Sequence, residues 1–344
     1  MRAAVMSAPG VLELEDLPDP TCPRGGVLIE VKACAICGTD VKMLQNGHRD
    51  LICPRVLGHE IVGRIVEGDS PGMGFADGDL VQVWPGIACG KCRPCQRGND
   101  SQCRSMKILG FNLDGGFAEM MALPAESTRR GLTILGAGVD PALLALAEPL
   151  ACCINGQELA RVSKGDTVLI IGGGPVGCLH ALLARIRGAE KIIISELLEN
   201  RIMAALRTQA DRVVDAASES LKEVVSEETG GQGADVILPS TPEVKVDDSM
   251  MRMLAPRGRL CIFSGPKVEN GRETVDVRSM HYRETTLVGA YGSTSRLNRE
   301  AVRMIASGEL DPGWIITKRS SLDGIDDAMK HSGLRLGLKA VIDF

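Results

Sequence analysis

Aromatic residues are scarce in this chain of 344 residues: 5 Phe, 2 Tyr and 2 Trp. Few rings are available to stack on unpaired bases, which disfavours a binder of single-stranded nucleic acid. Positive charge is not in excess either, since 39 Lys+Arg stand against 44 Asp+Glu, a formal balance of −5. Such a balance lacks the electrostatic footprint of a partner built on phosphate or of an anionic membrane. Long uninterrupted hydrophobic runs are missing too. The stretch 168–186 is broken by four Gly, a Pro, His180 and Arg185, so no segment is expected to span a bilayer. Glu13 and Glu15 arrive before any long apolar run, so no signal peptide is expected and the chain reads as cytoplasmic.

What the chain does hold is 40 Gly and 12 Cys. Its length is ample for a large core and points to two domains. In a reducing compartment twelve cysteines do not form a disulfide framework. Four of them, Cys89, Cys92, Cys95 and Cys103, fall within fifteen residues, and the other eight are scattered. Clustered thiols in that setting suggest metal, scattered ones packing. The spacing C-x2-C-x2-C-x7-C supplies four thiolates on one loop, the donor set of a closed, structural zinc site, with Lys91, Arg93, Arg97 and Arg104 to offset the charge. An iron–sulfur cluster is the rival reading, because the first three spacings imitate a ferredoxin run. The fourth Cys is too distant for it, and no Cys-Pro follows. Fortuitous surface thiols are the remaining alternative.

Composition divides the chain. Residues 1–150 show short Val- and Ile-rich runs (27–31, 61–66, 79–83) between Gly, Pro and Asp clusters, as in barrels of short strands, with the four-cysteine lobe at about 86–106. Over 151–290 buried-strand runs alternate with helical ones: strands at 168–171, 191–195, 212–215, 235–238 and 259–263, helices at 178–187, 199–206 and 219–228. That alternation predicts a parallel sheet covered on both faces. Residues 291–344 carry helices at 296–306 and 325–330 and a last strand at 339–342. The expected class is α/β, a β-rich domain joined to a doubly wound parallel-sheet domain.

The strand 168–171 runs into Gly172-Gly173-Gly174-Pro175-Val176-Gly177, a G-x-G-x-x-G that opens a helix. Gly172 allows the tight turn, Gly174 lets backbone approach a pyrophosphate, and Gly177 permits close helix–strand packing, with Pro175 and Val176 starting the helix. The motif alone is weak, and a glycine-rich turn without ligand reads the same way. Glu196 strengthens it. This acid ends the next strand 19 residues after Gly177, where a carboxylate binds both ribose hydroxyls and repels a 2′-phosphate, so NAD is expected rather than NADP. Arg201 lies close enough in sequence to bear on that choice. A solvated strand-end charge is the bland alternative for Glu196.

Cys37-Gly38-Thr39-Asp40, Gly58-His59-Glu60 and Glu148-Pro149-Leu150-Ala151 place further donor residues at turns and at a domain junction, and spacing alone does not join them. Taken with the four-cysteine lobe and the glycine loop, they resemble the zinc-dependent medium-chain alcohol dehydrogenases, most closely the sorbitol dehydrogenase-like polyol branch. The likeness runs nearly end to end, to the closing Leu336-Gly337-Leu338-Lys339. The resemblance implies a GroES-like catalytic domain, a Rossmann domain, two zinc ions per chain and hydride transfer from a secondary alcohol to NAD. It implies a catalytic zinc on Cys37, His59 and Glu148 with a fourth position open. Glu60 is then an adjacent carboxylate, Thr39 a proton relay, Lys339 a cofactor contact and Tyr291 part of the substrate pocket. Cys152 and Cys153 are near enough to Glu148 in sequence to be alternative ligands, although helix packing suits them better. Lys42 stands where many relatives carry a relay His, His48 is expected in a mobile loop, and Ala290 replaces an Arg beside Tyr291. The implied partner is a small alcohol, a polyol or sugar alcohol with or without phosphate, and the implied assembly a homodimer or homotetramer. L-threonine 3-dehydrogenase or a simple secondary-alcohol dehydrogenase is the alternative activity.

Overall fold

The computed structural model describes residues 1–68, 74–136, 138–265 and 273–344. The chain forms two compact units, one of Met1–Ala151 with Ser293–Phe344, the other of Cys152–Gly292. No helix among the described residues is long and apolar enough to cross a membrane.

The first unit is built mainly on antiparallel strands, with one parallel pair, Ile316–Ser320 and Lys339–Asp343. Its larger sheet runs Leu132–Ile134, Leu80–Val83, Glu60–Gly68, Val27–Ala35, Lys339–Asp343 and Ile316–Ser320, with Met120–Leu123 also pairing Val27–Ala35. A smaller sheet sets Arg2–Ala8 between Val11–Asp16 and Arg55–Val56. Inward residues alternate along these strands, and Ile29, Val31, Ile61, Ile65, Val81, Val83 and Phe117 share one buried core. Register matters most here. Ala35 pairs with Glu60 on one side and with Val341 on the other. Cys37, two residues past one strand, His59, one residue before another, and Lys339, the first residue of a third, therefore meet at the same end of the sheet.

The second unit is a six-stranded sheet in the order Arg212–Asp215, Lys191–Glu196, Thr167–Ile171, Ala234–Pro239, Leu254–Ile262, Thr286–Gly289, every pairing parallel. Counted along the chain this is 3-2-1-4-5-6, the doubly wound order that places ligands at the carboxyl ends of the central strands. The runs with little polar–apolar alternation reflect burial on both faces. Val168 and Ile170 pack on one side with Ile192, Ile194, Val236 and Leu238, whereas Leu169 and Ile171 pack on the other with Ile193, Ile237 and Leu260. The strand expected at 259–263 is longer, Leu254–Ile262, because it runs through Pro256 and Gly258, residues that read as a break in sequence.

One polar pair interrupts this core. His180, on the Pro175–Ile186 helix, is fully buried with the edge of its ring 4.6 Å (centroid to centroid) from Phe263. Gln157 Nε2 donates to the His180 carbonyl at 2.8 Å and lies 3.3 Å from Nδ1, which makes Nδ1 an acceptor and leaves the ring proton on Nε2. Burial, with a smaller push from Arg187, pulls the imidazole pKa down to about 3. The unfolded chain therefore binds a proton below the ordinary histidine range that the folded chain refuses. The contribution is complete above pH about 6.5 and is lost as the pH falls toward 3, at about 1.4 kcal/mol per pH unit. Urea melts at pH 7.5 and pH 5 test this. His180→Asn should lose about 2 kcal/mol less stability than the wild type across that interval, and equal losses would exonerate the histidine.

Candidate metal centres and dinucleotide loop

The two turns that carry Cys37 and His59 are fixed by Asp40. Cys37 caps the helix Gly38–Asn46, and Asp40 Oδ2, three residues on, accepts the Cys37 backbone N–H at 2.8 Å. Its other oxygen accepts the Gly58 N–H at 3.3 Å and meets His59 Nδ1 at 3.2 Å. With Nδ1 held by a carboxylate, Nε2 is left to ligate, an arrangement common around metal-binding histidines. Gly58 has φ +92°, and a Cβ there would lie 2.8 Å from Cys34 Sγ and 2.9 Å from the Phe117 ring, so the turn requires glycine. Asp40 is fully buried, and its place in the third helical position after Cys37 is the sequence signal for this role, which the motif Cys37-Gly38-Thr39-Asp40 alone does not assign.

Donor atoms of Cys37, His59 and Glu60 lie within 4.8 Å of one another. Burial works against a proton on His59, but Asp40 and Cys37 outweigh it and lift the imidazole well above its usual range. A metal here would displace that proton. Glu60 is fully buried; Oε1 binds the Lys339 ammonium at 2.6 Å, and Oε2 has no hydrogen-bond partner among the described residues. An orphaned carboxylate oxygen beside a thiol and an imidazole is a donor set that suits a divalent cation.

Lys339, expected as a cofactor contact, is bonded within the first unit itself. Its ammonium is buried, bonded to Glu60 and to the Ile36 carbonyl at 3.2 Å. Desolvation works against that charge, and Glu60, Cys37 and Glu148 together overcome it, so the lysine stays protonated. The pairing Val341–Ala35 is what brings residue 339 to Cys37 and turns it inward. Glu148 lies on the helix Ala147–Leu159, outside the set of Cys37, His59 and Glu60, yet close enough to act on the same ammonium. Thr39 sits half-buried in the first turn after Cys37. The His48 ring meets Phe111 edge-on at 5.4 Å, and Phe111 meets His59 at 5.5 Å.

The four cysteines of the lobe converge likewise, with Cys92 Sγ 3.5 Å from Cys95 Sγ and 3.9 Å from Cys103 Sγ. Trp84, Ala88 and Met106 form an apolar wall around them. Backbone N–H groups of Lys91 and Cys92 draw the Cys89 thiol down to about 6, whereas burial and the neighbouring Cys92 push Cys95 up to about 12. The lobe thus accommodates some thiolate charge alone and needs a cation to hold four. Gly90, at φ +72°, permits the turn between the first two cysteines.

In the other unit Gly172 has φ +107°, and a Cβ on Gly177 would fall 1.8 Å from the Gly172 carbonyl oxygen. Gly174 caps the helix Pro175–Ile186, and Arg201 Nη1 would lie 3.3 Å from a Cβ on Gly174. Glu196 turns into the loop: Oε2 accepts the Gly173 N–H at 2.8 Å, and Oε1 those of Leu197 and Leu198 at 2.6 and 3.0 Å. Cys153 Sγ points to the Val176 carbonyl at 3.7 Å, the packing role expected of it, and Cys152 precedes it on the same helix. Tyr291 is exposed to 59%.

Metal analysis separates the two centres. The intact protein should hold two zinc ions per chain. Cys92→Ser should release one and lower the melting temperature, since the loop loses its cross-link, whereas His59→Ala should release the other from a protein that still melts cooperatively. A single zinc in the wild type contradicts the scheme.

The chain matches the alcohol dehydrogenase GroES-like domain over residues 23–130 and the zinc-binding dehydrogenase domain over residues 175–307. It is 32% identical to an L-threonine 3-dehydrogenase of Pyrococcus horikoshii over 96% of this chain and 94% of that one. It is 30% identical to a sorbitol dehydrogenase of Halalkalibacterium halodurans over 95% of both. Among solved structures, a provisionally assigned zinc-binding dehydrogenase from Sinorhizobium meliloti bound to NADP superimposes with a TM-score of 0.91 at 28% identity, covering 100% of this chain and 99% of that one. These likenesses extend over both units, and the protein is a member of the zinc-dependent medium-chain alcohol dehydrogenase superfamily.

Proposed function

We propose that the protein oxidises a secondary alcohol, a polyol or sugar alcohol, with NAD as hydride acceptor. The observation that carries this reading is the gathering of Cys37, His59 and Glu60, with Lys339 bonded to Glu60, in a chain whose other unit holds a glycine loop of the dinucleotide-binding form. Zinc and NAD, when bound, supply a Lewis acid that makes an alcohol hydroxyl more acidic and an acceptor for the hydride on its carbon. The chain does the positioning. Asp40 aims the His59 ring, and Thr39 takes the hydroxyl proton. The amide end of the helix Pro175–Ile186 and its bare glycines receive the pyrophosphate. With Lys42 in the relay position, the proton leaves Thr39 without an imidazole step.

Glu148 is the third ligand in this reading, and Glu60, restrained by Lys339, is the carboxylate that exchanges in. The field of Glu148 on Lys339 supports its placement beside the same charges as Cys37 and Glu60. A thiolate, a carboxylate and a neutral imidazole sum to the same ligand charge as two thiolates and an imidazole, with a harder oxygen donor that tolerates changing coordination. Glu148→Gln should weaken retention of the catalytic zinc and lower kcat at least a hundredfold, leaving the lobe zinc in place. Glu60→Gln should keep both metals. The reverse pattern makes Glu60 the permanent ligand.

Glu196 supports NAD, because a 2′-phosphate would sit against its carboxylate, although the Sinorhizobium meliloti protein binds NADP. A higher kcat/KM with NADP than with NAD overturns that preference. The Pyrococcus horikoshii relative supports a second reading, L-threonine 3-dehydrogenase. A spectrophotometric screen of sugar alcohols, their phosphates, simple secondary alcohols and L-threonine decides between them.

A further inference from the structure

The four-cysteine lobe is fastened to one particular place, the start of the helix Ser295–Ala306. Asp100 opens the short turn Asp100–Gln102 just before Cys103, and its carbonyl accepts the Cys103 N–H at 3.0 Å, tying it to a thiol of the lobe. Its side chain is buried, 3% exposed, and both oxygens go to Ser295: Oδ1 accepts the backbone N–H at 3.1 Å and Oδ2 the hydroxyl at 2.6 Å. Two neighbours repeat the connection. Trp84, in the wall of the lobe, donates its indole N–H to the Ser293 carbonyl at 3.2 Å, and Asn298 Nδ2 reaches Gln82 Oε1 at 2.5 Å.

This carboxylate caps the helix alongside a second residue. Thr294 Oγ1 already accepts the Leu297 N–H at 3.3 Å. Burying a charged side chain that finds only hydrogen-bond donors and no cation among the described residues is costly, and here the cost is met by joining the lobe to the start of the helix.

We propose that the lobe is a clamp, and that Asp100 is the positioning residue through which metal in the lobe sets the first turn of this helix. The four thiolates, on this view, do more than stabilise their own loop: metal holds Cys103, Cys103 holds the Asp100 turn, and Asp100 holds Ser295. The clamp rests on the reading of the four cysteines as a metal site. A protein that carries no lobe metal fails that reading. A lobe metal whose loss leaves the helix start untouched fails the clamp.

The test is hydrogen exchange of peptides covering 293–306 in the zinc-loaded enzyme, with metal content on the same samples. Asp100→Ala keeps every thiol and removes both oxygens, so it should keep the lobe zinc. It should speed exchange at 295–298 about tenfold, as expected for a lost capping acceptor, without changing 302–306. Asp100→Asn, whose amide oxygen still accepts the Ser295 N–H, should restore most of the protection. Removing the lobe zinc from the wild type with a chelator should speed the same amides, and removing it from Asp100→Ala should add little. Should the stripped wild type unfold, the Asp100→Ala and Asp100→Asn measurements decide alone. The clamp is overturned if Asp100→Ala exchanges at 295–298 like the wild type or loses the lobe zinc itself, or if stripping accelerates the variant as much as the wild type.

Discussion

Asp40 is the contact on which the catalytic end of the first unit depends. Its carboxylate, shut away from solvent, meets the Cys37 N–H, the Gly58 N–H and the His59 ring, and so ties together two turns separated by about twenty residues of chain. A buried carboxylate is tolerable only when its oxygens are saturated, and these groups saturate it. The same requirement fixes the geometry: neither turn can shift without exposing an unpaired acceptor. The precision of the donor set at Cys37 and His59 is thus a by-product of satisfying one acid.

Charge sets the second constraint. Asp40, Glu60 and the Cys37 thiol lie close together, Glu148 acts on the Lys339 ammonium, and among the described residues that buried ammonium offsets them, with the His59 proton. One lysine and one imidazolium leave anionic character in excess. The centre therefore favours a divalent cation over an empty state, and the lysine holds Glu60 by one oxygen. The lobe solves a similar problem differently, with backbone N–H groups on Cys89 and an apolar wall beside Cys95 and Cys103.

The parts legible in the sequence were those encoded locally. The glycine loop, Glu196 at a strand end and the spacing of Cys89, Cys92, Cys95 and Cys103 each describe a single segment, and each element folds as its own residues dictate. The strand Leu254–Ile262 begins earlier than the expected 259 because it continues through Pro256 and Gly258, with Arg257 between them at φ +62°, a conformation no pattern of hydrophobicity reveals. The pairing made by Lys339 is illegible in the sequence for a different reason. Its neighbour Glu60 is 279 residues away in sequence, and only the register of the strands Val27–Ala35, Glu60–Gly68 and Lys339–Asp343 brings them together. Asp100 and Ser295 are a second such pair, each unremarked alone. Contacts set by strand pairing and by the return of the chain lie beyond the reach of local pattern.

The wall of the lobe has an optical consequence. The chain contains only two indoles, Trp84 and Trp314. Trp84 is almost wholly shielded, packed with Cys95 and Cys103, and its N–H is committed to a carbonyl. Thiol and thiolate sulfur quench indole emission by electron transfer over such short distances, and binding of their lone pairs by a cation suppresses that route. Exchange of Trp314 for phenylalanine would leave one emitter whose brightness follows the state of the sulfurs beside it. The molecule then carries an intrinsic photometer for its structural site, readable in a cuvette without label or dye.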